Sequence, residues 1–301
     1  MGTRLTITPP SDFVLRRDGC SYGYFRLAPN TWSVESQTLT RLLQLEDGVA
    51  VLTIAQPGAK PGESLRVQCD RALSANERRE VKSLMSRMLC LDDEGVREFH
   101  RVDPRWKRSG RARIFRSPTF FEDLVKTVTS CNVTWPSTVS MNRRLCEVID
   151  PAFPSPAQLA RRRPQTLRSR CGVGYRDKRL IELAKMTVSG EIDAAWFEDP
   201  TTSDDEVHAA LLTLPGIGPY AAGNMMQLLG RYGFLAVDTE TIRHGRESLG
   251  FEGTDRAVEK QVRAHYDAFG AHKFRSYWFE LWTEHEKAQG PAWTWPDKSR
   301  V

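Results

Sequence analysis

The chain has 301 residues, 40% of them hydrophobic and 27% charged, with a formal net charge of +5. That length suits two moderate domains with sizeable cores; no run approaches a membrane span, and the opening MGTRLTITPPSDF lacks the apolar stretch of a secretory signal, so a soluble intracellular protein without membrane contact is expected. Six scattered cysteines (Cys20, Cys69, Cys90, Cys131, Cys146 and Cys171) form no C-x-x-C pair and have no histidine at zinc spacing; they read as free thiols, and with none beyond Cys171 the C-terminal part can build no iron–sulfur cluster.

In chain order, residues 1–70 read as β. YFRL (24–27), WSVES (32–36), VAVLTI (49–54) and SLRVQC (64–69) are short β-branched or aromatic runs, with DG and PG pairs as turn signals between or beside them. In LRVQC the apolar side chains alternate at Leu65, Val67 and Cys69. Ser74 followed by Glu77 predicts a capping box, and Val81, Leu84, Met85, Met88 and Leu89 form a stripe at helical spacing. From about residue 118 the pattern turns helical. SPTFFEDLVKTVTSC sets Phe120, Phe121, Leu124, Val125, Val128 and Cys131 on one face. TVSMNRRLCEVI, RDKRLIELAKMTV, DDEVHAALLTL, the segment after PGIGP, DRAVEKQVRAHYDAF and SYWFELWTEH follow, so at least seven helices are expected. The Arg-rich stretch 105–116 marks the expected boundary between a β-rich part, residues 1–105, and a helical part, residues 106–301.

Charge is segregated along the chain. Residues 97–116 carry eight Lys/Arg against two acids, residues 141–180 carry ten against three, and residues 191–208 carry seven acids with no Lys or Arg. Any one such run reads as a solvated face. Two basic runs interleaved with Trp106, Phe115 and Tyr175 read as the electrostatic footprint of a nucleic-acid binder.

Residues 214–243, LPGIGPYAAGNMMQLLGRYGFLAVDTETIR, carry the chemistry. Ser203 and Glu206 predict a second capping box and a helix to about Leu212; LPGIGP then reverses the chain, with Gly216 and Gly218 able to take φ > 0 and Pro219 suited to the first turn of a helix over about 220–230. That helix is expected to bury Ala222, Met225, Met226 and Leu229. Such a helix–hairpin–helix leaves backbone N–H groups at a helix N-terminus free to hold a phosphate without reading sequence. Asp238 lies 18 residues after Tyr220, in AVDTETIR, where it reads either as a helix N-cap or as a functional carboxylate.

In combination, LPGIG and VDT resemble the helix–hairpin–helix DNA glycosylase superfamily, whose signature is this hairpin followed by an aspartate at the end of the next loop. FEDLVKTVTSCNVTWPSTVSMNRRLC and GVGYRDKRL are similar to the opening helix pair and the GLGYR segment of 8-oxoguanine glycosylase-type members. The resemblance covers about residues 118–285; the β-rich part resembles, by layout, the N-terminal domain of 8-oxoguanine and alkyladenine glycosylases. It implies Asp238 as the carboxylate that answers positive charge on the sugar during base release. Bifunctional members carry a lysine at the position of Tyr220. A phenol forms no Schiff base, so water hydrolysis without strand cleavage is implied, and an aromatic face there suits a cationic alkylated base.

The resemblance further implies Tyr175 as an intercalating wedge, Arg176 as a contact to the estranged base, Asn132 in a gap-filling loop, and Gly216 and Gly218 at the phosphate. Tyr220, Asn224, Trp278 and Trp282 are implied at the base pocket. An arginine that reads an opposite cytosine in 8-oxoguanine glycosylases corresponds to Pro136 here, so that preference is not implied. Tyr220 also reads as plain packing at a helix start, Tyr175 as a surface turn aromatic, and at least one of the two tryptophans as core. The expectation is an α+β protein: an N-terminal antiparallel β-sheet domain with a packed helix, then an all-helical glycosylase domain. The resemblance implies that it acts as a monofunctional DNA glycosylase, as a monomer on double-stranded DNA with a damaged base, in the cytoplasm, nucleoid or nucleus. Alkylated purine is the expected substrate. The alternatives are an oxidised-purine glycosylase and a non-catalytic DNA-binding relative. No metal or cofactor is expected, apart from a monovalent cation that the resemblance would place on hairpin carbonyls.

Overall fold

A computed structural model describes residues 2–296. By its own contacts the chain divides into two compact units. Unit one holds the chain through Asp93, Arg113–Ala194 and the segment from Gln289; unit two holds Glu94–Ala112 and Ala195–Ala288. Each unit draws on segments from both sides of the boundary near residue 105. No helix among the described residues is long and apolar enough to cross a membrane.

Unit one contains a five-stranded antiparallel sheet: β1 (Arg4–Ile7), β2 (Asn30–Ser33), β3 (Thr38–Leu45), β4 (Gly48–Ala55) and β5 (Leu65–Cys69), in the order β1-β5-β4-β3-β2. The β3–β4 hairpin runs in register from Leu39↔Ile54 to Leu45↔Gly48, and Gly48 takes φ +105 where the turn closes. Alternate residues Leu39, Leu43, Leu45, Leu52, Ile54, Leu65 and Val67 are buried, as the period-2 rule requires of a half-buried sheet. YFRL is not a strand. Gly23–Arg26 form a 3₁₀ turn in which consecutive Tyr24 and Phe25 are both buried, an arrangement an alternating strand cannot provide. Conversely β3, absent from the expectation, is a strand whose inward face carries Arg41. That charge interrupts the apolar alternation, and it is matched by Glu122 at 2.5 Å and Asn30 Oδ1 at 2.7 Å.

Four longer helices complete this unit: α1 (Ala75–Leu89), α2 (Phe120–Ser130), α3 (Trp135–Val148) and α4 (Asp177–Ser189). The Ser74/Glu77 box caps α1, with Val81, Met85, Met88 and Leu89 buried. In α2 every residue except Ser130 is buried, wider than the single apolar face expected. Its charges are therefore internal: Lys126 Nζ is 2.6 Å from Glu122, and Asp123 is 2.8 Å from Arg87. Removing one member of such a buried pair costs about 3–5 kcal/mol, because the other stays buried uncompensated.

Unit two is helical: a short helix Val96–Val102, then α5 (Asp204–Thr213), α6 (Pro219–Leu228), α7 (Thr239–Glu247), α8 (Asp255–Asp267) and α9 (Lys273–Gln289). Phe99, Phe274, Phe279 and Tyr266 are fully or almost fully buried. The buried Arg275 guanidinium lies 3.9 Å from the Tyr232 ring centroid and 5.6 Å from that of Phe99, so its charge is held on aromatic faces.

Candidate active site

The chain reversal in unit two starts from a well-capped helix. Ser203 Oγ accepts the Glu206 N–H at 3.3 Å and Glu206 Oε2 accepts the Ser203 N–H at 3.2 Å, the reciprocal box that opens α5. After Thr213 the chain turns, with Ile217 N–H donating to the Leu214 carbonyl at 3.1 Å. Gly216 has φ +82, a conformation that disfavours any side chain. Gly218, expected to share it, has φ −102, and a Cβ built there meets no heavy atom within 4 Å. The fold does not need glycine at 218. What glycine leaves there is bare backbone at the N-terminus of α6, the end of a helix that attracts anions. Arg231 closes the hairpin, donating to Thr202 O at 2.7 Å, Asp204 Oδ1 at 2.5 Å and Asp199 O at 2.6 Å.

Helix α6 buries every residue from Ala221 to Leu228. Leu229, expected in that buried set, is the half-buried residue that follows the helix. Gly223 explains how tightly the next segment lies on it. A Cβ at Gly223 would stand 3.0 Å from Ala236 Cα and 3.1 Å from Leu235 O, so the backbone leading to Asp238 rests directly on α6. The signal that points to Gly223 is an isolated glycine inside a helical pattern, which costs roughly 1 kcal/mol against alanine and so calls for a packing reason.

Asp238 is the N-cap of α7. Its Oδ1 accepts the Thr241 N–H at 3.0 Å and the Thr241 hydroxyl at 3.1 Å, while its own N–H donates to Thr241 Oγ1 at 3.1 Å. Both Thr241 bonds thus fall on one oxygen, Oδ1, and the residue is half-buried rather than sealed. Burial pushes the Asp238 carboxyl above the ordinary aspartate value; the Thr241 N–H and hydroxyl and the Glu240 N–H pull it down, and the Glu240 charge pushes it up. Thr241 Oγ1 also lies 2.8 Å from the Tyr277 hydroxyl on α9. The Tyr277 phenol is held well above its ordinary value, first by burial and then by the Asp238 charge, with a further contribution from Tyr220. Asp238, Thr241, Tyr277 and Tyr220 therefore converge, from α7, α9 and the first turn of α6.

Tyr220 is half-buried. Asn224, one turn further on, is 3% exposed and accepts from Gln227 Nε2 at 3.4 Å. Trp278 and Trp282 stack with centroids 5.2 Å apart, and Phe274 extends the stack at 6.1 Å; Trp282 is buried, as core, and Trp278 is half-buried. Behind α7, Tyr266 donates to Glu280 Oε2 at 2.9 Å and lies 2.8 Å from His244 Nε2, tying α7, α8 and α9 together. No cluster of metal-ligating side chains exists among the described residues.

Unit one carries the other named residues. Asn132 is exposed, in the loop between α2 and α3, with φ +53, a region asparagine tolerates better than most residues. Tyr175 is 53% exposed, with the guanidinium carbons of Arg176 and Arg179 at 4.5 and 5.1 Å from its ring centroid. Arg176 is buried. Its Nε donates to Val128 O at 3.1 Å, its Nη1 to Val173 O at 3.4 Å and its Nη2 to Cys131 O, so it clips the start of the Asn132 loop to the GVGYR turn. Three of its five N–H donors are taken by backbone carbonyls.

No family model and no curated protein sequence matches the chain. Solved structures do. The 3-methyladenine DNA-glycosylase from Archaeoglobus fulgidus aligns over 93% of this chain and 98% of its own, with a TM-score of 0.70 and 15% identity. The 8-oxoguanine glycosylase/lyase of Clostridium acetobutylicum, in its apo form, aligns over 93% and 97% with a TM-score of 0.67 and 17% identity. The same enzyme bound to double-stranded DNA with cytosine opposite 8-oxoguanine aligns over 95% and 98%, with a TM-score of 0.66 and 17% identity. At such identities the likeness is one of fold: the α+β architecture expected from the hairpin and the β-rich N-terminal part is the architecture these glycosylase structures have.

Proposed function

We propose that this chain is a monofunctional DNA glycosylase. It extrudes a damaged base from double-stranded DNA and hydrolyses its N-glycosidic bond, with an alkylated purine as substrate, and it works as a monomer on DNA inside the cell. The observation that carries the reading is the state of Asp238: Oδ1 fixed by the cap in a carboxylate that is half-buried rather than sealed, one short loop beyond a hairpin whose helix N-terminus is bare at Gly218. As the C1′–N bond breaks, its electrons leave with the base and positive charge grows on the sugar. An oriented carboxylate stabilises that charge and accepts the proton of the water that forms the new C1′–O bond. Tyr220 offers no amine for an imine, so the product is an intact strand with an abasic site. Its ring face suits the positive charge of an alkylated purine.

Extrusion of the base fits the unit-one residues. The exposed Tyr175 is shaped to wedge into the stack, Asn132 to enter the gap, and Arg176 to hold their loops. The hairpin at Gly216 and Gly218 takes a phosphate. Any monovalent cation there would sit on hairpin carbonyls, the hard oxygen donors such ions accept, and no step depends on it. The test uses duplexes carrying single defined lesions, alkylated and oxidised, scored for strand breakage before and after alkali. Breakage only after alkali, strongest with alkylated purines, is expected. Direct breakage with a borohydride-trapped adduct contradicts the Tyr220 argument, and preference for an oxidised purine moves the substrate to that class. Binding without base loss from any duplex identifies a non-catalytic relative.

A further inference from the structure

The hydrogen bonds around Thr241 have only one consistent arrangement of protons. The Tyr277 hydroxyl is buried and its one hydrogen-bond partner among the described residues is Thr241 Oγ1, at 2.8 Å. Its proton therefore points at Oγ1. That oxygen also accepts the Asp238 N–H at 3.1 Å, which fills both of its lone pairs. The single Thr241 proton is left for Asp238 Oδ1, 3.1 Å away. The result is a directed chain, Tyr277 O–H to Thr241 Oγ1–H to Asp238 Oδ1, crossing from α9 to α7. A capping box usually closes with glutamate or glutamine at this position, whose side chain serves the cap alone. Threonine here turns the box into a link to a buried phenol.

We propose that Thr241 is the positioning residue of this site, with Tyr277 behind it: together they saturate Asp238 Oδ1 and fix the carboxylate plane so that Oδ2 faces the reacting sugar and water. The proposal rests on the glycosylase reading for its consequence and on the hydrogen bonds alone for its geometry. Two donors on Oδ1, one a hydroxyl polarised by a second hydroxyl, also favour the ionised carboxylate against the burial that opposes it. The ionisable groups turned on Asp238 are Glu240 from its own helix and Tyr277 from α9, and Tyr220 from α6 bears in turn on Tyr277. None of these is a cation, so hydrogen bonds hold the charge in place: the Thr241 N–H first, then the Thr241 hydroxyl at the end of its chain, and the Glu240 N–H.

Thr241→Val keeps the side-chain shape and removes the hydroxyl; Thr241→Ser restores it; Tyr277→Phe removes only the far end of the chain. Two readouts apply to each variant. The first is the carboxyl titration of Asp238 by carbon-13 NMR, assigned against Asp238→Asn. The second is single-turnover base release from a methylated-purine duplex as a function of pH, alongside duplex affinity. In Thr241→Val the titration moves to higher pH, the acid limb of base release moves with it, and the plateau rate falls by at least about tenfold at unchanged affinity. Serine rescues both readouts, and Tyr277→Phe shifts them in the same direction by less. An Asp238 titration and a rate in Thr241→Val within twofold of wild type overturn the proposal. So does loss in Thr241→Val that serine fails to rescue, or a Tyr277→Phe titration identical to wild type. If wild type releases no base from any duplex, the glycosylase reading fails, and the NMR arm alone still decides whether Thr241 sets the carboxylate.

Discussion

At the scale of single residues, three glycines near the site do three different things, and only one of them is conformational. Gly216 needs φ +82. Gly223 needs the absence of a Cβ so that the Leu235–Ala236 backbone can lie against α6 and deliver Asp238. Gly218 needs neither, since its φ is −102 and the space above it is empty. Glycine where the protein itself has no use for it points to something outside the protein that comes close. Gly218→Ala is therefore expected to leave thermal stability within about 0.5 kcal/mol, as for surface substitutions away from special features, and to weaken duplex binding several-fold. A melting curve and a fluorescence-anisotropy titration separate the two effects. Unchanged binding would remove the phosphate from Gly218. The lone mid-helix glycine at 223 and the PGIG pair are visible in the sequence; which of them is sterically compelled is not, because that depends on a backbone segment thirteen residues further along.

At the scale of elements, local signals were legible and cross-chain ones were not. Both capping boxes read from Ser-x-x-Glu close as expected, because the partners are three residues apart and the helix itself brings them together. The strand β3 hides because its inward Arg41 is balanced by Glu122, which is 81 residues away. The same holds for the link between Thr241 and Tyr277, 36 residues apart on different helices, for which no periodicity gives a sign. The cap on α1 has a second partner of that kind. Glu77 also meets Arg71 at 2.5 Å, and mainly through that bond its carboxyl is held at about 2 against an ordinary value of 4.5. A depressed carboxyl stabilises the fold fully above its unfolded value and loses that contribution as pH falls from about 4.5 towards 2. Glu77→Gln should lower stability at pH 7 and approach the wild type near pH 2. Urea denaturation at both pH values checks this, and an equal deficit at both contradicts the ion pair as its source.

At the scale of the whole molecule, charge rather than fold speaks to the partner. Arg143, Arg144, Arg161, Arg163, Arg170, Lys178 and Arg179 are exposed in unit one, and Arg179 faces the Tyr175 ring. Phosphate contacts release counterions, so affinity for an undamaged duplex should fall linearly with salt on logarithmic axes, and each phosphate-contacting arginine removed should shallow the slope by about 0.9. Arg170→Ala with Arg179→Ala is expected to do this equally for damaged and undamaged DNA; an unchanged slope would place the duplex elsewhere. The central claim is narrower and concerns one carboxylate. Asparagine caps a helix as well as aspartate does, so Asp238→Asn leaves α7 started and removes only the charge. The direct measurement is single-turnover release of free base from a methylated-purine duplex by wild type and Asp238→Asn, each shown to be folded and each titrated for duplex binding. Base release lost in the variant, with duplex affinity retained, is the result this account predicts; release at the wild-type rate would show that Asp238 only caps its helix.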